Sequence, residues 1–338
     1  MAERWPRWRP TWRSALLTLA LVVPPTFGFA QTAGPPLVLE AKIPLGEVSG
    51  RIDHLAIDLK RQRLFVAELG NNSLGVVDLA TRRTLQTITG LSEPQGVLYE
   101  PATDTVYVAN AGDGSVRVLR GDDLAPIGRI DLGDDADNVR VDAQRNRVAV
   151  GYGKGALAII DPASRARIAD IRLPGHPEGF QIAENGTQIF VNVPDFRQIA
   201  IVDLASGAVR SVSTDGLRAN FPMAIDAAAH RVLVAFRSPP VLMALSIPNG
   251  RIAARLAICG DADDVFVDTR RRRIYVSCGD GAVDVIEPRQ AGYARVARVP
   301  TVPGARTALF VPELDRLFVA ARAQAGEPAA IWVYRPSP

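Results

Sequence analysis

Acids and one histidine recur at a steady interval along this chain of 338 residues. Asp53, Gln95, Asp137, Glu178, Phe221, Asp263 and Arg306 follow one another at spacings of 42, 42, 41, 43, 42 and 43. The residues directly after them are His54, Gly96, Asn138, Gly179, Pro222, Asp264 and Thr307. Residues at one register of a repeat meet around a common axis when the repeats close into a ring. Four carboxylates would repel one another there, and Arg306 neutralises only part of that charge. The candidate site is Asp53, His54, Asp137, Asn138, Glu178, Asp263, Asp264 and Arg306, which could surround a cation or a small cationic ligand. Oxygen donors of this kind suit Ca²⁺ or Mg²⁺. His54 beside Asp53 has the chemistry of a metal ligand or of a base with an orienting acid. The structural alternative is that these short acids accept hydrogen bonds from backbone N–H groups at strand starts, with water filling the axis.

The elements that would position these residues are strands. Arg63–Ala67 (RLFVA) recurs as Thr105–Ala109, Arg147–Gly151, Gln188–Asn192, Arg231–Ala235, Arg273–Ser277 and Arg316–Ala320, at the same spacings. A short apolar run ending in an acid precedes it, as in Leu55–Asp58, Val97–Glu100 and Val265–Asp268. A Gly/Asn/Asp turn follows it, then a third run such as Ser115–Leu119 or Ala282–Ile286. Such turns supply the positive φ that tight hairpins need. A repeat of about 40–45 residues carrying only strand signals predicts four-stranded propeller blades. The seventh copy stops after Ile331–Tyr334, and Leu37–Ile43 stands alone before the first copy. The expectation is an all-β, seven-bladed β-propeller of antiparallel blades, closed by the N-terminal strand completing the last blade. Closure of that kind pairs two exposed edges.

Tyr107-Val108-Ala109-Asn110 resembles the Tyr-Val-Thr-Asn signature of YVTN-repeat β-propellers, and turns such as Asp203–Ser206 fit that group too. The resemblance spans about residues 37–335 and is to the exported bacterial, YncE-like branch. It implies a propeller of binding or unassigned function, and it carries over no catalytic residue.

Residues 1–30 read as a secretory signal. Arg4, Arg7, Arg9 and Arg13 precede the apolar run Ala15–Val23, Pro24 and Pro25 end it, and Gly28-Phe29-Ala30 supplies small residues before Gln31. Basic start, short apolar run and small exit are the parts of such a signal. The run is too short to span a bilayer, which needs about 20 residues. Residues 31–338 are then the single propeller domain, periplasmic or secreted, with no transmembrane segment. The formal charge of +3 belongs to the leader: without its four arginines and one glutamate, 35 Lys+Arg face 35 Asp+Glu.

Loop assignment predicts polarity across the ring. Loops on the upper face, which enter the first strand of each blade or join second to third, carry the site acids with Glu68, Asp113, Asp134, Asp135, His176, Asp195, Asp261 and Asp280. The lower face carries Lys60, Arg61, Arg82, Arg83, Arg145, Arg165, Arg167 and Arg270–Arg273. That last run sits in a hairpin turn, which argues against nucleic acid as a partner. The two cysteines, Cys259 and Cys278, both fall on the upper face of neighbouring blades. An oxidising compartment would join them in a disulfide. Two cysteines exclude a disulfide-dense scaffold or a four-cysteine zinc site, and 47% hydrophobic residues exclude a disordered chain. The chain lacks G-x-S-x-G, H-E-x-x-H, Gly-Lys-Ser/Thr and C-x-x-C-H. The reading is an exported, monomeric propeller that binds a protein, a peptide or a small cationic ligand on its acidic upper face. Its alternative is a metal-assisted hydrolase, lactonase or lyase at the same place.

Overall fold

The repeated Val-Tyr-Val-Ala run is apolar throughout because both of its faces are covered. Val106, Tyr107, Val108 and Ala109 are all fully buried. In a propeller each sheet packs between two others, so a second strand shows no polar alternation. The computed structural model describes residues 1–10 and 34–338. Within residues 35–338, twenty-eight strands form seven four-stranded antiparallel sheets, six of them in chain order from the axis outward. Blade 1, for example, runs Leu55–Asp58, Arg63–Glu68, Ser73–Asp78 and Arg83–Ile88. The expected signal segment lies largely outside the described residues. Among those described, no helix is long and apolar enough to cross a membrane.

Blade 7 is closed as the sequence predicts. Ala308–Val311, Arg316–Ala321 and Ala330–Pro336 supply three strands, and Leu37–Pro44 supplies the outer one. Ile43 lies opposite Ile331 and Lys42 opposite Trp332. The register shifts around Glu40, whose carboxylate takes Arg316 and Arg335, each at 2.7 Å. Ile43 and Leu45 also enter the core shared by blades 7 and 1, with Phe318, Ile331, Leu64 and Val66. Fully burying a side chain of this size stabilises by about 1.5–3 kcal/mol, so the terminal strand is part of the core.

The disulfide joins Cys259 to Cys278 with a Cα–Cα distance of 5.8 Å. It ties the segment leaving the outer strand Ile252–Ala257 to the end of the second strand Arg273–Cys278 in the next blade.

The lower face departs from the expected open basic surface. Arg61 pairs with Asp58 in its own turn and reaches Asp104 on blade 2. Arg271 repeats this with Asp268 and, on blade 7, Asp315. Arg145 pairs with Asp142 and reaches the Gly186 carbonyl on blade 4. Asp58, Asp142 and Asp268 end the innermost strands of their blades. The acid closing each of these strands thus holds the arginine three residues on, which staples the next blade.

Candidate functional site

The ring residues stand where the innermost strands begin, and there the ladders are irregular. Register shifts fall at Gln95–Gly96, at Asp137–Asn138, at Phe221–Pro222 and at Asp263. A β-bulge turns side chains out of the pleat and is common beside functional sites. Ahead of each shift the chain takes a left-handed turn, with φ of 50° at Glu93, 31° at Asp135 and 57° at both Ala219 and Asp261. Two glycines let neighbouring blades close in: a Cβ on Gly96 would lie 2.0 Å from the Asp137 carbonyl oxygen, and one on Gly179 would lie 2.4 Å from that of Phe221.

All eight expected residues line one cavity of about 330 Å³ at the mouth of the channel. Arg51 and Arg237 also line this cavity. Arg51 Nη2 lies 2.6 Å from Asp53 Oδ2. Arg237 pairs with Asp263, its Nε is 3.0 Å from Asp261 Oδ1, and its guanidinium sits 4.1 Å over the Phe221 ring. Arg306 Nε is 2.9 Å from Asp263 Oδ2, and its Nη1 bonds both Asp261 oxygens at 2.9 and 3.0 Å. The upper face is therefore not simply acidic: one side of the mouth is an interlocked network of acids and arginines. Glu68, expected on this face, is buried inside blade 1, where it accepts the Ser73 hydroxyl at 2.5 Å.

The remaining acids fare differently. Asp264 accepts the Ala308 N–H at 2.8 Å. Asp137 and Asn138 are 3% and 2% exposed, and the Oδ1 atoms of both lack a hydrogen-bond partner among the described residues. Their electrostatics divide accordingly. Burial would raise Asp53, but its hydrogen bond to His54 and the charges of His54, Arg51 and Arg306 hold it at about 2. Burial would lower His54, but Asp53, Asp137 and Asp264 push it up to about 9. Asp137 is pushed up to about 7 by burial and by Glu178. Glu178 is pushed up to about 7 by burial and by Asp263. Burial also raises Asp264 to about 7, with His54 opposing and Asp263 adding to the rise. The mouth thus holds a firmly ionic pair beside carboxylates that resist ionisation until a positive charge arrives.

Next to Asp137 and Glu178 stands His176. One ligand atom from each of the three lies within 4.8 Å of the others. By sequence His176 is an upper-face loop residue outside the ring register. Its signal lay two residues before the aligned ring, where Arg51, Glu93, Asp135, His176, Ala219, Asp261 and Gly304 share a register. Arg51, Asp135 and His176 of this register line the same cavity as the ring residues. Residues two after His54 and its equivalents share another register: Ala56, Leu98, Arg140, Gln181, Ala224, Phe266 and Leu309. Six of these seven line the next cavity down the channel, of about 270 Å³, and all but Arg140 and Gln181 are apolar.

No family model matches the chain, and no curated protein does. Many solved structures share its fold, among them the following two. A chain of Kuenenia stuttgartiensis hydrazine synthase is 17% identical, with a TM-score of 0.72, over 92% of this chain and 99% of the other. A chain of the mitotic checkpoint complex is 12% identical, with a TM-score of 0.76, over 94% and 98%. At such identities the likeness is one of architecture: this chain is a seven-bladed β-propeller of four-stranded blades.

Proposed function

We propose that this chain is an exported binding propeller, built of YVTN-like repeats, that holds a small cationic ligand in its channel mouth. The observation that carries the reading is the contrast within one ring. Asp53 and Asp263 are neutralised by arginines, while Asp137 is buried with a free carboxylate oxygen, no arginine paired to it, and Glu178 and His176 within ligand distance. A buried acceptor without a partner costs about 1–3 kcal/mol, which a bound cation would recover. The cavity volume is at the small end for ligand sites, and it suits an ion or a small amine. The arginine-rich, apolar leader and the disulfide support export into an oxidising compartment.

The test is a thermal melt and an isothermal titration of the mature chain against putrescine, choline and divalent metal chlorides, at constant ionic strength. At least one cation should raise the melting temperature, and Asp137→Asn should remove that rise. Silence from every cation would overturn the reading. A protein or peptide partner is the second reading. One structural neighbour is a chain of a protein complex, and Phe196, 55% exposed in the Pro194–Phe196 turn, offers an anchor on the upper rim. The alternative of a hydrolase, lactonase or lyase requires a metal in the mouth beside His54.

A further inference from the structure

We propose that Asp137, His176 and Glu178 form a binding site for a divalent first-row transition metal, Zn²⁺ foremost, at the junction of blades 3 and 4. The inference rests on the reading that the mouth accepts a cation, and it names that cation and its ligands.

The donor set selects the metal class. Ca²⁺ takes six to eight oxygens and Mg²⁺ prefers oxygen and water, whereas an imidazole with two carboxylates suits Zn²⁺ and its neighbours. The imidazole is already oriented for it. Its Nδ1–H donates to the Gly153 carbonyl at 2.7 Å, and Asp135 Oδ2 stands 3.7 Å from the same nitrogen. That hydrogen bond fixes the tautomer and leaves the Nε2 lone pair free, as in most metal-binding histidines. His176 and Glu178 flank Pro177, and a ligand atom of each lies within 4.8 Å of the other. Pro177 packs against Gly151, where even a Cβ would come within 3.0 Å of its ring. Asp137 enters from the bulge opening the innermost strand Ala136–Asp142 of blade 3. It brings the buried, unpartnered Oδ1, and the unpartnered Asn138 Oδ1 lines the same cavity. In a tetrahedral site, bonds of about 2.0–2.2 Å place ligand atoms about 3.3–3.6 Å apart, so side-chain rotations draw the three atoms together from within 4.8 Å. Three protein ligands leave coordination positions toward the cavity, the arrangement of an open site.

The experiment uses the full mature chain, stripped with chelator and titrated with ZnCl₂, MnCl₂, CaCl₂ and, separately, putrescine. Zn²⁺ should bind at one equivalent, more tightly than Ca²⁺. Co²⁺ added in its place should show visible absorption from a nitrogen-containing site. His176→Gln and Glu178→Gln should each weaken Zn²⁺ by about tenfold or more, while His230→Gln, on an exposed lower-face turn, should not. Melting curves establish that each variant is folded, and the Co²⁺ spectrum of the unaltered chain needs no variant. Substoichiometric Zn²⁺, a featureless Co²⁺ spectrum, or affinity unchanged in both variants would overturn the site. Putrescine binding with the metals silent would overturn the metal site and leave the cation-binding reading standing. Silence from all probes would overturn both.

Discussion

Arg61 clasps Asp104 across the gap between blades 1 and 2, with Nη1–Oδ1 and Nη2–Oδ2 distances of 2.8 and 2.6 Å. The same guanidinium also bonds Asp58, which is fully buried. Two parallel N–H···O bonds fix one blade's turn against the next. Removing Arg61 leaves Asp58 buried and unpaired, whereas removing the Asp104 charge breaks only a half-exposed pair. Arg61→Ala should therefore cost about 2–3 kcal/mol and Asp104→Asn about 1 kcal/mol. Urea melts of the two variants check the order, and equal costs would show that Asp58 does not depend on the arginine.

The pair at the mouth makes stability depend on pH. His54 Nδ1 lies 2.9 Å from Asp53 Oδ1, with Asp137 and Asp264 adding negative charge and Arg51 and Arg306 also bearing on Asp53. A histidine raised from 6.5 to about 9 contributes stability that is whole below pH 6.5 and lost as pH rises to 9. For Asp53, lowered to about 2, the contribution is whole above the ordinary carboxylate range and lost as pH falls toward 2. Between pH 6.5 and 9 the native protein should lose on the order of 2–3 kcal/mol relative to His54→Asn. Parallel stability curves for the two proteins across that window would contradict the coupling.

The disulfide closes a loop of 19 residues. By loop entropy it contributes about 3 kcal/mol, and it acts where blade 5 hands the chain to blade 6. Replacing both cysteines by serine should lower the melting temperature and leave the fold and its cation binding intact. Thiol counting in denaturant without reductant should find no free thiol in the native protein.

Deleting residues 37–44 removes the outer strand of blade 7 and the Ile43 side chain from the core between blades 7 and 1. It also bares the edge of Ala330–Pro336, a ready template for another chain. The truncated protein should aggregate or unfold without cooperativity, as light scattering and calorimetry would show. An unchanged melt would contradict closure by this strand.

The fold was legible because each copy of the repeat buries both faces of its second strand, which leaves an apolar run such as Leu64–Ala67 at every 41–43 residues. The ring around Asp53 and Asp137 was legible for the same reason: one register of a closed repeat is one circle. Arg51, His176 and Arg140 were missed because a mouth is built from several registers, and alignment at a single register shows only one. Arg237 lay further off, at the end of a second strand, and only its long side chain brings it in. The same reach misled the charge reading, since counting arginines by face says nothing of the acids that Arg61 and Arg271 already hold.

The central claim is that the mouth binds a cation through Asp137 and its neighbours. The most direct measurement is anomalous diffraction from crystals of the mature protein soaked in ZnCl₂, with data on both sides of the zinc edge. A single strong peak within bonding distance of Asp137, His176 and Glu178 is the predicted result. A mouth without a peak in crystals that carry zinc elsewhere would contradict it.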